Sequence, residues 1–529
     1  MSKIFPFSGS NIINLRLAII VKTDLLPHMT RISFTFLLMV SLSGYAQQQP
    51  DVDSLRKNYY TIQKAISNKF SGYYKPNRAK IYSRPEKQFL IIIDSLRSGF
   101  EENLTKYKEK NHNADVKFIV EEQRDIDFFF DRMILDFPYF HETHTGIKVV
   151  LSNAIQKRLD KHLIDFNNPD YLSSRDVKGY IEAFLRHQTS IEVKKRRYEK
   201  SDNKRLDAYL TLIPKYFTNQ TCKQYWQYFY IFAHLDDFGS KNLGPIIENF
   251  KATCKNETYI REIDSFYTEG LEARKNHLIK TYKTVDGFNL DIHLFFPENI
   301  DKSKKNPVIV YFTGGSWTKG NPEWDFYSCA AYAKKGWVGV SVEYRVADRY
   351  ETTPFEAVKD ARSAIRWLRM NADTLNIDTN RIVASGNSAG GHLVLTTMLA
   401  NDWNESSDNL KYNASPNLGM VNAGVYNLSW EDGTDWITRD LKDKSIVTKI
   451  SPIHLLRKGI PPLIIIHGTN DQSVDYASAK EFADKMLKLG NDFEFHTIEG
   501  APHYIWFDRR YNGQVSKLRN AFLLKYGYE

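Results

Sequence analysis

Residues 381–394 read Arg-Ile-Val-Ala-Ser-Gly-Asn-Ser-Ala-Gly-Gly-His-Leu-Val, and this stretch decides the fold. A short apolar strand at 382–384 runs into Gly386-Asn387-Ser388-Ala389-Gly390, and an apolar helix follows. The G-x-S-x-G pattern in that setting predicts a sharp strand-to-helix turn, because only small residues fit on either side of a serine held in so strained a backbone. Such a turn presents the Ser388 hydroxyl at a helix N-terminus, where the helix dipole favours developing negative charge. The bare pattern is common by chance, and its competing reading is a tight-turn serine with no chemistry. The strand–turn–helix context is what makes it specific.

Outward from this turn, the second half of the chain alternates strands and helices. Strands are expected at 278–285, 289–296, 308–312, 338–342, 382–384, 420–425, 463–466 and 493–498. The clearest helix covers 355–372, with Val358, Ala361, Ile365 and Leu368 on one face. Continuous apolar strands such as VIVYF and PLIIIH suit a sheet covered on both faces. The expectation is an α/β fold with a doubly wound, mostly parallel sheet over 277–529.

A serine hydroxyl is a weak nucleophile and needs a base and an orienting acid. In this kind of fold both follow the serine in the chain. Asp471 stands just after the strand PLIIIH, at the strand end where sites gather in open parallel sheets. Asp475 is the runner-up, and a helix N-cap is the plain alternative for either. His503 lies in the loop EGAPHYIW after the last strand. His454, His467 and His496 compete, although His467 and His496 lie in or at the ends of strands and read as structural. Order and loop placement favour Ser388, Asp471 and His503 as catalytic. After the strand ending at Phe312, Thr313-Gly314-Gly315-Ser316-Trp317 offers unobstructed backbone amides for an oxyanion. Gly315, Ser316 and Ala389 are the expected donors. This acyl-transfer chemistry asks for no metal and no organic cofactor.

The remainder of the chain has a different composition. From 47 to 276 it is poor in glycine and rich in Lys, Glu, Leu, Tyr and Phe. Leu55, Tyr59, Ile62 and Ile66 fall at near-helical intervals, as do Val177, Ile181, Phe184 and Leu185. An all-α N-terminal domain of unknown function is expected there. The basic run VKKRRYEK at 193–200 reads as a solvated helix face, because it lacks the aromatic interleaving of a nucleic-acid surface. Residues 29–46 have the layout of a secretory signal peptide: Arg31, an apolar stretch at 32–42, then Gly44 and Ala46 before a cut at Gln47. Met29 is the expected start and Ala46 the last residue removed, which places the protein in the periplasm or outside the cell.

The 529 residues carry a net charge of +9, with 42% hydrophobic and 26% charged residues, which excludes a mostly disordered chain. No apolar run reaches the roughly 18 residues of a spanning helix, so no integral membrane segment is expected. Three cysteines exclude a disulfide scaffold. Cys222 and Cys254 could pair in an oxidising compartment, but buried free thiols are the more ordinary reading. Without the leader the net charge is +6, all of it in the helical half, since 277–529 holds 30 basic and 30 acidic residues. The charge therefore says nothing about the substrate.

Four blocks agree in order and spacing: YFTGGSW, SVEYR with its following helix, ASGNSAGGH, and HGTNDQSV followed by EGAPHYIW. Together they resemble the carboxylesterases of the alpha/beta-hydrolase fold. The likeness is to the bacterial acetyl- and feruloyl-esterase group with a Gly-Gly-Gly-Trp oxyanion motif and to its hormone-sensitive-lipase-like relatives. It covers about 278–529 and implies a hydrolase of short-chain acyl esters, including acylated carbohydrates. Ser388, Asp471 and His503 match the family's triad, and Gly315, Ser316 and Ala389 its oxyanion donors. The departures are Thr313 for His or Phe, Ser316 for a third Gly, Asn387 for Asp or Gly, and Asp475 for Pro. Trp317, Trp403 and Trp430 are candidates to line a sugar-binding mouth. Two other classes stay open. One is a prolyl-oligopeptidase-type peptidase, whose usual N-terminal beta-propeller is not matched by the helical half. The other is a non-catalytic protein, with an envelope or glycan partner bound by residues 47–276.

Overall fold

The structure is a computed structural model that describes residues 50–111, 116–298, 303–429, 435–438 and 443–528. The expected leader at 1–46, its start and its cut lie outside the described residues, as does Trp430. The described chain packs as two compact units, one of residues 50–195 and 208–226, the other of 196–207 and 227–528.

The first unit is helical. Its principal helices are α1 (Pro50–Tyr82), α2 (Glu86–Lys110), α3 (Val116–Leu135) and α4 (Arg175–Glu192). Helix α4 begins where the Ser174 side chain accepts a hydrogen bond from the Val177 amide, and it buries Val177, Ile181, Phe184 and Leu185 as the spacing predicts. In α1 the spacing holds less well: Tyr59 is buried, but Ile62 faces solvent. The basic run after α4 is a short 3₁₀ turn, not a helix face. Val193 and Tyr198 are buried, and the lysines and arginines between them are exposed.

The second unit is built on one eight-stranded sheet: β1 (Leu278–Val285), β2 (Phe288–Phe295), β3 (Asn306–Phe312), β4 (Val338–Val342), β5 (Ile377–Asn387), β6 (Leu418–Asn422), β7 (Leu463–Gly468) and β8 (Phe493–Ile498). The order is β1-β2-β4-β3-β5-β6-β7-β8. Strand β2 runs antiparallel to β1 and β4, and every pairing from β4 through β8 is parallel. Strand β5 is longer than its apolar stretch suggested, because 377–381 continue the ladder beside β3.

Ahead of the sheet come α5 (Gln220–Phe238), whose residues from 227 belong to this unit, α6 (Gly244–Thr253) and α7 (Glu257–Ala273). The helices between and after the strands include α8 (Phe326–Ala333), α9 (Pro354–Met370), α10 (Ala389–Leu399), α11 (Tyr476–Lys488) and α12 (Asn512–Lys525). The border read at 276 is thus a change of secondary structure, while the packing unit reaches back into the helical segment. Alternation along β3 explains the two-faced core. Val308, Val310 and Phe312 pack with α9, α10 and α11, whereas Ile309 and Tyr311 pack with α8 and α12. Helix α9 starts at a capping box formed by Thr353 and Glu356, with Pro354 at its first position.

One charged cluster lies inside this core. Asp360 of α9 is fully buried and accepts hydrogen bonds from the Arg345 backbone and guanidinium and from Lys283. Glu405 completes it, 2.7 Å from Arg345 and 2.9 Å from Lys283. Removing one partner of such a cluster leaves the others charged and unpaired, which typically costs about 3–5 kcal/mol. Asp360→Ala is expected to lower the melting temperature by on the order of 10 °C, read by circular dichroism.

Candidate active site

Ser388 closes the turn between β5 and α10 with φ 53° and ψ −122°, the strained conformation that the sequence pattern required. The turn is possible because of its glycines. A methyl group on Gly390 would fall 1.9 Å from the Phe312 carbonyl oxygen, and one on Gly386 would fall 2.3 Å from the Gly390 carbonyl. The Ser388 amide bonds the Asn422 carbonyl, and the Asn422 side chain donates to Asn387 Oδ1 at 2.8 Å. The residue beside the nucleophile is thereby fixed to β6.

Asp471 follows β7 and is buried. Its Oδ1 accepts the amides of Ser473 and Val474, each at 2.8 Å. Its Oδ2 meets His503 Nδ1 at 2.7 Å. His467 Nε2 is 3.1 Å from the same oxygen and equally close to the Val474 carbonyl. Burial alone would raise this carboxyl, but the hydrogen bonds from His467 and His503 hold it well below the usual carboxylate range. The acid is therefore ionised and fixes His503 with the proton on Nδ1, leaving Nε2 as the basic nitrogen.

The rival residues have other partners. Asp475 caps α11 through the Ala477 amide, His496 pairs with Glu494, and His454 is exposed. The structure thus brings Asp471 and His503 into contact and places Ser388 at the C-terminal end of β5 in the same parallel array. Among the described residues the Ser388 hydroxyl has no hydrogen-bond partner. Contacts of this kind often close only when substrate binds. His467 was read as structural, yet it touches the acid; its position four residues before Asp471 was the available signal.

The expected oxyanion loop follows β3. The Cβ position of Gly314 is 3.6 Å from Ser388 Cβ, so the loop lies beside the nucleophile. Among the described residues the amides of Gly315, Ser316 and Ala389 donate to no protein acceptor. Gly315 has φ 114°, while Ser316 and Trp317 have φ 55° and 56°. The third glycine of the related motif has a physical reason here, since Ser316 occupies a left-handed conformation that costs a side-chain-bearing residue about 1–2 kcal/mol. Thr313 is buried, and its carbonyl accepts the Tyr344 hydroxyl at 2.8 Å.

The tryptophan expectation is corrected. Trp317 is buried edge-to-face against His392, and Trp403 packs on Phe355 with its indole N–H bonded to the Lys449 carbonyl. Trp317 thus belongs to the core and presents no sugar-stacking face. The aromatic rings at the base are instead Tyr504 and Trp506, which both contact the His503 ring edge-on. Cys222, Cys254 and Cys329 are buried and form no disulfide among the described residues.

A parallel sheet with a strained serine elbow on β5, an acid after β7 and a histidine after β8 defines an alpha/beta hydrolase. Residues 290–486 match the BD-FAE family model. Esterase LipC of Mycobacterium tuberculosis is 29% identical over 219 residues, which cover 38% of this chain and 53% of LipC. A probable isoprenylcysteine alpha-carbonyl methylesterase of Arabidopsis thaliana is 25% identical over 233 residues, 40% of this chain and 48% of that protein. The chain spans about half the length of these curated relatives. Among solved structures, a thermophilic esterase of Thermogutta terrifontis is similar at 32% identity, covering 48% of this chain and 94% of that one, with a TM-score of 0.45.

Two outcomes follow from the local geometry. Ser316→Gly relieves the left-handed serine, and it is expected to add about 1 kcal/mol of stability and 2–4 °C in melting temperature, measured by calorimetry. His392, in α10, donates Nε2–H to the Ile450 carbonyl, while its Nδ1 is buried without a partner among the described residues. Burial lowers its pKa to about 4. Since that lies below the unfolded value of about 6.5, its neutral form supports the fold above pH 6.5. That support is lost as pH falls toward 4. Melting temperatures across this range are expected to drop for the wild type and to drop less for His392→Gln.

Proposed function

We propose that this protein is a serine carboxylic-ester hydrolase that acts through an acyl-enzyme. The observation that carries this reading is the buried, ionised Asp471 bonded to His503 after β8, on the same parallel ladder whose β5 ends in the strained Ser388 elbow. His503 Nε2 takes the Ser388 proton as the hydroxyl oxygen attacks the ester carbonyl. Asp471 stabilises the imidazolium that forms. The carbonyl oxygen becomes an oxyanion facing the amides of Gly315, Ser316 and Ala389, and each such donor contributes a factor of about 10²–10³ in kcat. His503 then protonates the leaving alcohol, and water repeats the sequence to release the acid.

Short-chain acyl esters are the proposed substrates. The family match over residues 290–486 and the esterase relatives support that class. Tyr504 and Trp506 against the His503 ring suit an ester with an apolar portion. Acylated carbohydrates stay within the proposal, although Trp317 lends them no support. The leader-like sequence at 29–46 supports export to the periplasm or beyond, and an envelope or glycan partner for the helical residues belongs to that same proposal.

Ser388→Ala is expected to cut hydrolysis of a short-chain nitrophenyl ester at least about ten-thousand-fold with the melting temperature nearly unchanged. An organophosphonate should add its mass to Ser388 in the wild type alone. Ester turnover that survives the substitution, or preferential cleavage of a Pro-linked dipeptide amide, would refute the reading.

A further inference from the structure

Residues 227–276 lie ahead of the matched family region, yet they pack within the hydrolase unit. Their contacts converge on the segment that follows the oxyanion loop. The Gly315 carbonyl accepts the amides of Thr318 and Lys319, which closes the loop into a turn. The next residues then plug the C-terminal end of α5. The Lys319 ammonium is 2.8 Å from the Asp237 carboxylate, and the Gly320 amide bonds the Asp237 carbonyl. The Asn321 side chain is buried and donates to the carbonyls of Leu235 and Asp236. Glu323 accepts the amide and hydroxyl of Ser240 and a hydrogen bond from Arg274, just past α7.

The bonds to the Asp236 and Asp237 carbonyls satisfy groups at the helix end, the Leu235 carbonyl also takes the Gly239 amide, and Lys319 places a positive charge at the negative end of the α5 dipole. On its other side the loop is held by the Ala347 and Asp348 amides, which bond the carbonyls of Trp317 and Thr318. Without both supports, two adjacent non-glycine residues in left-handed conformations would have little reason to persist.

We propose that the C-terminal end of α5, through Asp237 and its contact with Lys319, is a positioning element of the oxyanion hole, so that a segment outside the family-matched region sets the catalytic rate. This rests on the esterase reading above. Neither Asp237 nor Lys319 touches the reacting atoms. They act by fixing the direction of the Gly315 and Ser316 amides, and an oxyanion hole is sensitive to such direction because its donors must meet the oxyanion at hydrogen-bond distance.

The test uses the full chain with Asp237→Asn and Lys319→Met, each made singly and together, at pH 8. Burial raises Asp237 to about 6 against the pull of Lys319, so the carboxylate is charged at that pH. Active sites are titrated with an organophosphonate, and kcat per titrated site is measured with a short-chain nitrophenyl ester. The inhibition constant of a trifluoromethyl ketone, whose adduct places an oxyanion in the hole, is measured beside it. The expected result is a fall in kcat of about tenfold with KM within twofold, and a parallel tenfold weakening of the ketone. The double variant should be no worse than either single one. A merely structural contact would lower the melting temperature and the titratable fraction but leave both per-site quantities unchanged, and that result would overturn the proposal. If Asp237→Asn does not fold, Lys319→Met breaks the same pair from the loop side and decides the question. A wild type that neither cleaves esters nor is labelled at Ser388 refutes the esterase reading, and this inference with it.

Discussion

The hydrolase half depends on one close backbone approach. The first turn of α10 lies against the end of β3 so tightly that any side chain at Gly390 would collide with the Phe312 and Thr313 carbonyls. This approach brings the loop after β3 to the serine that begins α10. Ser388 and the candidate oxyanion amides are therefore neighbours by virtue of sheet order, because β3 and β5 are adjacent in the ladder. Inserting a methyl group at that contact would separate the loop after β3 from the Ser388 turn and open a gap in the core beneath them.

The acid and base are placed by the same parallel ladder, two and three strands further on. A carboxylate buried as deeply as Asp471 remains charged only if its oxygens are satisfied, and two amides of the loop after β7, the His467 imidazole of β7 and the His503 imidazole after β8 do this. The strength of that solvation has a consequence for the base. Every donor that shares Oδ2 with His503 reduces the negative charge available to its imidazolium. His467 is thus a second partner of the oxygen that holds His503.

Much of this was legible in the sequence, for identifiable reasons. The elbow, the alternation of VIVYF between two core faces and the chain order of serine, acid and histidine are all local patterns with a physical cause. The features that were not legible depend on partners distant in sequence. Trp317 and Trp403 were candidates for either an aromatic mouth or the core, because composition does not report burial, and packing shows Trp317 buried on His392 and Trp403 half-buried on Phe355. The strain at Ser316 was visible only as a departure from a glycine motif; its cause, a φ of 55°, is a backbone property set by the turn closed through Lys319.

The border near residue 276 makes the same point at larger scale. Hydrophobic period changes there from helix to strand, and a reader of periodicity must place a boundary at that change. Packing follows a different criterion, namely where buried polar groups find their partners. Asn321 and Glu323 are hydrolase residues by position, yet their partners are the Leu235 and Asp236 carbonyls, Ser240 and Arg274. Cutting the chain at 276 would strip the buried Asn321 amide of those acceptors and Glu323 of its donors, and unsatisfied buried polar groups of this kind cost about 1–3 kcal/mol each. The helices from 227 onward are therefore continuous with the enzyme's core in the sense that matters energetically, whatever their secondary structure suggests.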